Sequence, residues 1–224
     1  MPGSDWRGMY MTDHPDIHIR HPDLFQIEIV EGVKPLDSQF GQTDRKAVPD
    51  LLRDPLFGQP DPLPSEIEAA GGDPAKVPAM QTFAILDAAK VANLPALLDA
   101  SGLEHRCLFK GGTAEELAEV APWLVRLTED SRLTRLLFTG KDAIGGLWQS
   151  EPGIYIRSRA SFEDIWRHFR RFTRVQDECG NWFLFRFWEP RWLEANAAVL
   201  GGGSEAAIPS RWPPVRIVQP YPRR

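Results

Sequence analysis

The chain has 224 residues, 42% hydrophobic and 25% charged, with a formal net charge of −5. That is enough for one sizeable core, and it excludes a global positive field inviting nucleic acid. No apolar stretch approaches the roughly 20 residues needed to span a bilayer, residues 1–16 lack the basic and apolar regions of a signal peptide, and two cysteines, Cys107 and Cys179, make neither a disulfide framework nor a zinc set. A cytoplasmic protein with free, buried thiols is expected.

Charge is uneven along the chain. Residues 151–224 carry 12 Lys/Arg against 8 Asp/Glu, and the remainder 14 against 23. Such asymmetry hints at two surfaces with different partners, although basic residues solvating one helix explain it as well.

Residues 1–80 hold 11 of the 20 prolines, so they are expected to be mostly extended or irregular, an arm that wraps the main domain or stays mobile. Within the arm, Leu24 to Val30 alternates in part like a short strand. From Met80 the pattern turns regular. Thr82 to Leu86 reads as a buried strand ending at Asp87. Residues 94–101 form a helix stopped by Gly102, and Arg106 to Phe109 a second strand. Thr113 and Glu116 have the spacing of a capping box. Ala121 to Val125 is extended, residues 131–138 form a helix capped by Ser131, and Gly153 to Ser158 is the third strand.

The next helix has the clearest signature. Ser161 and Asp164 make a capping box, and Phe162, Ile165, Trp166 and Phe169 recur on one face. Arg167, Arg170, Arg171 and Arg174 follow as a second stripe. Trp182 to Phe187 reads as an apolar strand able to pair with Thr173–Gln176 as a hairpin across the Asp177–Asn181 turn. Arg191 to Leu200 is a last helix. Residues 212–218 offer a candidate edge strand, their prolines excluding a central one. The sum is an α/β (or α+β) fold, a mixed sheet with helices packed on it. Its parts are a proline-rich arm at 1–80, a main domain at 81–200 and a C-terminal tail at 201–224.

The chemistry of catalysis and cofactors is hard to find in these residues. The glycine pairs match neither a P-loop nor a dinucleotide fingerprint. His14, His18 and His21 are interrupted by Pro15 and Pro22, a poor frame for zinc. No nucleophile elbow is present. Cys107 and His105 share a strand face without an orienting acid, and Asp87 lies at a strand end with no sequence-level partner, so a helix-capping role is preferred for it. No catalytic residue, cofactor or metal is assigned. An arginine patch with interleaved aromatics is a nucleic-acid pattern, but these arginines can equally pair with acidic residues of the rest of the chain or with an acidic protein partner.

Three motifs carry a resemblance. They are Phe83-Ala84-Ile85-Leu86-Asp87-Ala88-Ala89; Arg106 to Phe109 with Gly111, then Glu119 to Val125 with Pro122, Trp123 and Leu124; and Ser161 through His168 to Phe172, then Leu184-Phe185-Arg186-Phe187-Trp188-Glu189-Pro190-Arg191. In this order, from Phe83 to about Leu200, they resemble the effector-chaperone (adaptor) family of bacterial type VI secretion, a domain-of-unknown-function family encoded beside genes of the valine–glycine repeat spike protein, VgrG. Glu189 stands where the family usually has Asp, and Phe83 where Tyr is usual. The resemblance implies a cytoplasmic, non-enzymatic protein that binds a cognate toxic effector and loads it onto the spike, with no nucleic-acid or membrane partner. Asp87, Pro122, Trp123, Leu124, His168, Phe185, Arg186, Phe187 and Pro190 are then the family signature. Arg157, Arg170, Arg171, Arg186, Trp188 and Arg191 are the candidate partner-binding residues, being the types enriched at hot spots. A small α/β enzyme using Asp87 and His168, a nucleic-acid binder and an immunity-type effector-binding protein are the rival readings.

Overall fold

The structure is a computed structural model, and it describes residues 25–112, 116–176, 179–192 and 215–221. The N-terminal histidines, the Thr113 cap, the Asp177-Glu178 pair and nearly all of the last helix lie outside the described residues.

A mixed six-stranded sheet organises the chain. Its strands are β1 (Phe25–Glu31), β2 (Gln81–Asp87), β3 (His105–Cys107), β4 (Pro122–Leu127), β5 (Gly153–Ser158) and β8 (Val215–Tyr221), in the order β1-β8-β5-β2-β4-β3. β1 runs parallel to β8, and the other neighbours are antiparallel. The remaining strands, β6 (Arg174–Gln176) and β7 (Trp182–Leu184), form a separate two-stranded ribbon.

The centre of β2 is buried on both faces, which explains its unbroken apolar run. Ala84 and Leu86 face one layer, shared with Val125, Leu127, Tyr155 and Val218. Covering that layer are helices α1 (Asp50–Phe57), α3 (Leu94–Ser101) and α4 (Arg132–Leu137), through Leu52, Leu56, Leu94, Leu98, Leu133 and Leu137. Phe83 and Ile85 face the opposite layer, with Leu124, Ile154, Ile156 and Ile217. There α5 (Phe162–Phe169) lays down Phe162, Ile165, Trp166 and Phe169, the face its spacing indicates. The expected caps form. Ser131 Oγ accepts from Thr134 N at 3.0 Å, Ser161 Oγ accepts from Asp164 N at 3.2 Å, and Gly102 ends α3 at φ 67°, where a side chain would be strained. Gly153 is dictated by close approach, since a Cβ there would lie 1.8 Å from the Ile85 carbonyl oxygen.

Within the proline-rich stretch the chain forms α1, with Pro55 inside, and α2 (Pro64–Ala69). Leu52 and Leu56, one turn apart and both fully buried, outweigh the backbone bond that Pro55 removes. The tail strand β8 is not at an edge, because it lies between β1 and β5. Its pairing with β5 covers only Arg216 to Val218, so Pro220 costs no bond on that side. The arginine stripe does not continue as one helical face: α5 ends at Phe169, a 3₁₀ turn carries Arg170 and Arg171, and Arg174 starts β6. The hairpin of β6 with β7 forms as expected, but the strand stops at Leu184, and Phe187 and Trp188 turn back into the core. Of the two thiols, Cys107 is buried and Cys179 is at the surface.

Candidate functional site

The two most distant signature motifs meet at the end of β2. Asp87 is 1% exposed. Its Oδ1 accepts from Ala89 N at 2.9 Å, closing a local turn, and its Oδ2 accepts from Trp188 Nε1 at 3.1 Å and from Arg186 Nη2. The helix-capping role expected of Asp87 is therefore replaced by a tertiary one, its partners lying about a hundred residues downstream. Around it, Lys90 Nζ donates to the Glu151 carbonyl at 3.1 Å and pairs with Glu189, which stands 3.5 Å from Arg186. Arg191 Nε reaches Glu151 Oε2 at 3.2 Å. Glu189, the longer acid at this position, thus serves as a bridge between Lys90 and Arg186. Lys90 and Glu151 carry no sequence signal of this role, because neither sits in a recognisable motif.

The other signature residues are mostly structural. Pro122 pairs in register with Asp87, Leu124 is fully buried, and Trp123 Nε1 donates to the Ala118 carbonyl at 3.0 Å. Phe187 stacks on Phe169 at 5.6 Å, Phe185 meets Trp192 edge-on at 5.0 Å, and Pro190 is buried.

The candidate partner-binding residues separate into two groups. Arg157 and Trp188 are inside the protein and present nothing to a partner. Arg157 donates to Thr82 Oγ1 at 2.8 Å and to the carbonyls of Leu56 and Gly58, taking up carbonyls that the end of α1 leaves open. Burial, with Arg216 nearby, pulls its guanidinium down to about 10. Its neighbour Arg159 pairs with Glu66 at 3.0 Å, both side chains below a tenth exposed, and donates to the Pro78 and Pro60 carbonyls at 2.7 Å each. Arg170, Arg171, Arg186 and Arg191 remain at least partly open to solvent. Arg170 lies over the Trp166 ring at 4.6 Å, with Arg106 over the same ring at 4.7 Å.

His168 and Cys107, the side chains with most chemical potential, are both packed away. The His168 ring meets Phe169 at 4.9 Å and Phe172 at 5.0 Å. Burial, helped by the Arg171 charge, pushes its imidazole down to about 4. The unfolded chain, near 6.5, therefore takes up the proton first. The His168 contribution is whole above that pH and is lost progressively as pH falls towards 4, by about 3 kcal/mol at most. Urea midpoints at pH 7.5 and 5.0 should show this loss, and His168→Asn should flatten it. Burial also raises the Cys107 thiol, which accepts from Phe109 N at 3.4 Å, so it is held away from the reactive thiolate.

A shallow cleft beside Arg157 and Arg216, also lined by Asp54 and Gly58, encloses about 110 Å³. Pockets for small-molecule ligands are typically several times larger. Among the described residues no group of three or more His, Cys, Asp or Glu is arranged to hold a metal ion, and no helix is long and apolar enough to cross a membrane.

Residues 82–203, more than half of the chain, match the family described as "Domain of unknown function (DUF4123)". The chain belongs to the DUF4123 family. No curated protein and no solved structure matches it. The DUF4123 match takes in both motifs that meet at Asp87. It leaves out β1, α1, α2 and β8, although β1 and β8 belong to the same sheet and α1 covers it.

Proposed function

We propose that this DUF4123 protein is a type VI secretion adaptor-chaperone: it holds a cognate toxic effector in the bacterial cytoplasm and hands it to the VgrG spike before export. The observation that carries this reading is the family match across residues 82–203, spanning the motifs whose resemblance to effector chaperones is described above. The side-chain geometry favours binding over catalysis. An acid–base pair of Asp87 and His168 is disfavoured, since the Asp87 oxygens already accept from Ala89, Arg186 and Trp188 and the His168 ring is packed among phenylalanines. The chain needs no cofactor and no nucleic-acid partner. It works by exchange of binding free energy, gripping the effector through a moderate interface and yielding it at the spike.

The test is co-expression of the tagged chain with the effector and spike proteins encoded by its genomic neighbours, followed by size exclusion. A stable complex with the effector is expected, together with loss of effector secretion, but unchanged sensitivity to the toxin, when the chain is deleted. A chain that elutes alone against every neighbour at micromolar concentration sinks the reading. Altered sensitivity with normal secretion assigns the chain to immunity instead.

A further inference from the structure

The β6–β7 ribbon presents apolar surface that the fold itself leaves uncovered. Trp182, Phe183 and Leu184 are 65%, 48% and 53% exposed, and Phe172, just before β6, is 43% exposed. Successive strand residues point to opposite faces, so three exposed residues in a row mean that neither face of β7 is covered. With roughly 200 Å² for each aromatic side chain, the three aromatics together expose about 300 Å² over the two faces of the ribbon, comparable with the largest apolar patch of a typical monomer, which is often functional. An isolated two-stranded hairpin is marginal in water, yet this one is rooted. Phe172 contacts Phe187 edge-on at 6.4 Å, and Phe185 N donates to the Thr173 carbonyl at 3.0 Å.

The charge around this surface selects its partner. Arg170 and Arg171 sit in the turn entering β6, and Arg174 is directly across from Leu184 in the ribbon. Among the described residues none of the three is in an ion pair with a carboxylate. The base of the ribbon is thus basic and apolar together. Exposed aromatic side chains beside arginines are the types enriched where proteins bind proteins, and a chain of net charge −5 offers little to a phosphate backbone or an anionic lipid surface. A polypeptide that carries carboxylates suits this surface best.

We propose that the β6–β7 ribbon is the effector-gripping element, and that its occupant is an effector segment carrying apolar and carboxylate side chains together on the surface that meets the ribbon. The apolar groups cover the Trp182 and Leu184 face, and the carboxylates pair with Arg174 on that same face and with Arg170 and Arg171 at the base. This rests on the adaptor reading, and it names a surface outside the signature residues around Asp87.

The experiment uses the full chain and the effector-like protein encoded beside its gene. Two double variants are compared with wild type, Trp182→Asp with Phe183→Ser and Arg171→Glu with Arg174→Glu, alongside the control Ile144→Asp at a fully exposed position elsewhere. Unchanged circular dichroism and urea midpoints establish that each variant folds. The aromatic variant is expected to weaken effector binding at least about thirtyfold. The arginine variant should weaken it about tenfold in low salt, with a smaller loss in high salt, and the control should not change. Unaltered binding by the folded aromatic variant overturns the proposal and leaves the adaptor reading standing. So does a wild-type homodimer, or binding to phosphatidylglycerol-containing vesicles, that the aromatic variant abolishes without affecting the effector. If wild type captures no neighbour, the adaptor reading itself fails and the proposal falls with it.

Discussion

Asp87→Ala is expected to destabilise the protein by about 3 kcal/mol, read as a lower urea midpoint at constant slope. The carboxylate is buried and accepts from three donors belonging to two distant parts of the chain. Its removal leaves the buried Trp188 indole N–H without its acceptor and strips Arg186 of its main anchor. The reverse deletion, Arg186→Ala, should cost less, about 1–2 kcal/mol. The Arg186 side chain is 45% exposed, and the carboxylate keeps two neutral donors. The double variant should be less unstable than the two single losses added, by about 1 kcal/mol, because the members share one network. An Asp87→Ala protein of wild-type stability that no longer captures an effector would contradict this and move Asp87 from the scaffold to the binding surface.

A chain beginning at residue 81 is expected not to fold, although it keeps the whole DUF4123 match. Three losses coincide. Leu52 and Leu56 uncover the sheet layer around Ala84, Leu86 and Tyr155, at about 2–3 kcal/mol for each buried leucine. β8 loses its parallel partner β1. Arg157 and Arg159 lose the Leu56, Gly58, Pro60 and Pro78 carbonyls and the Glu66 carboxylate. A buried cation without its partner costs about 3–5 kcal/mol, and whole domains are stable by only about 5–15 kcal/mol. Insoluble or molten product, by near-ultraviolet circular dichroism and heteronuclear NMR, is the expected result. A soluble, cooperatively unfolding fragment would show that residues 1–80 are dispensable. Glu66→Ala in the full chain gives the milder counterpart, a stability loss that Arg159→Met added to it partly reverses.

Local signals were legible wherever the cause is local. Ser131, Ser161 and Gly102 end their helices through bonds made within a few residues, so cap chemistry alone places them. The buried face of α5 follows from a 3.6-residue period, and β2 from an apolar run too short for a helix. The hairpin of β6 with β7 follows from a turn between two short strands. Arg157 misled for the opposite reason. An arginine in a strand of unknown depth reads as surface, and only the arrival of the α1 carbonyls, a hundred residues upstream, keeps it inside. The exposure of Trp182 to Leu184 has no local signal either, because only the placement of the ribbon clear of the sheet leaves those side chains open.

By itself the sequence determined most elements from residue 81 on, the caps at Ser131, Ser161 and Gly102, the α/β class and, through its motifs, a family resemblance. Those features depend on period, turn chemistry and residue identity, which act over a few positions. Only the tertiary structure decided that residues 25–31 and 215–221 join one sheet, that Asp87 belongs to Arg186 and Trp188, and which arginines reach solvent. These are matters of depth and long-range pairing. They are set by which surfaces exclude water from one another once the chain has closed, and no local pattern records that.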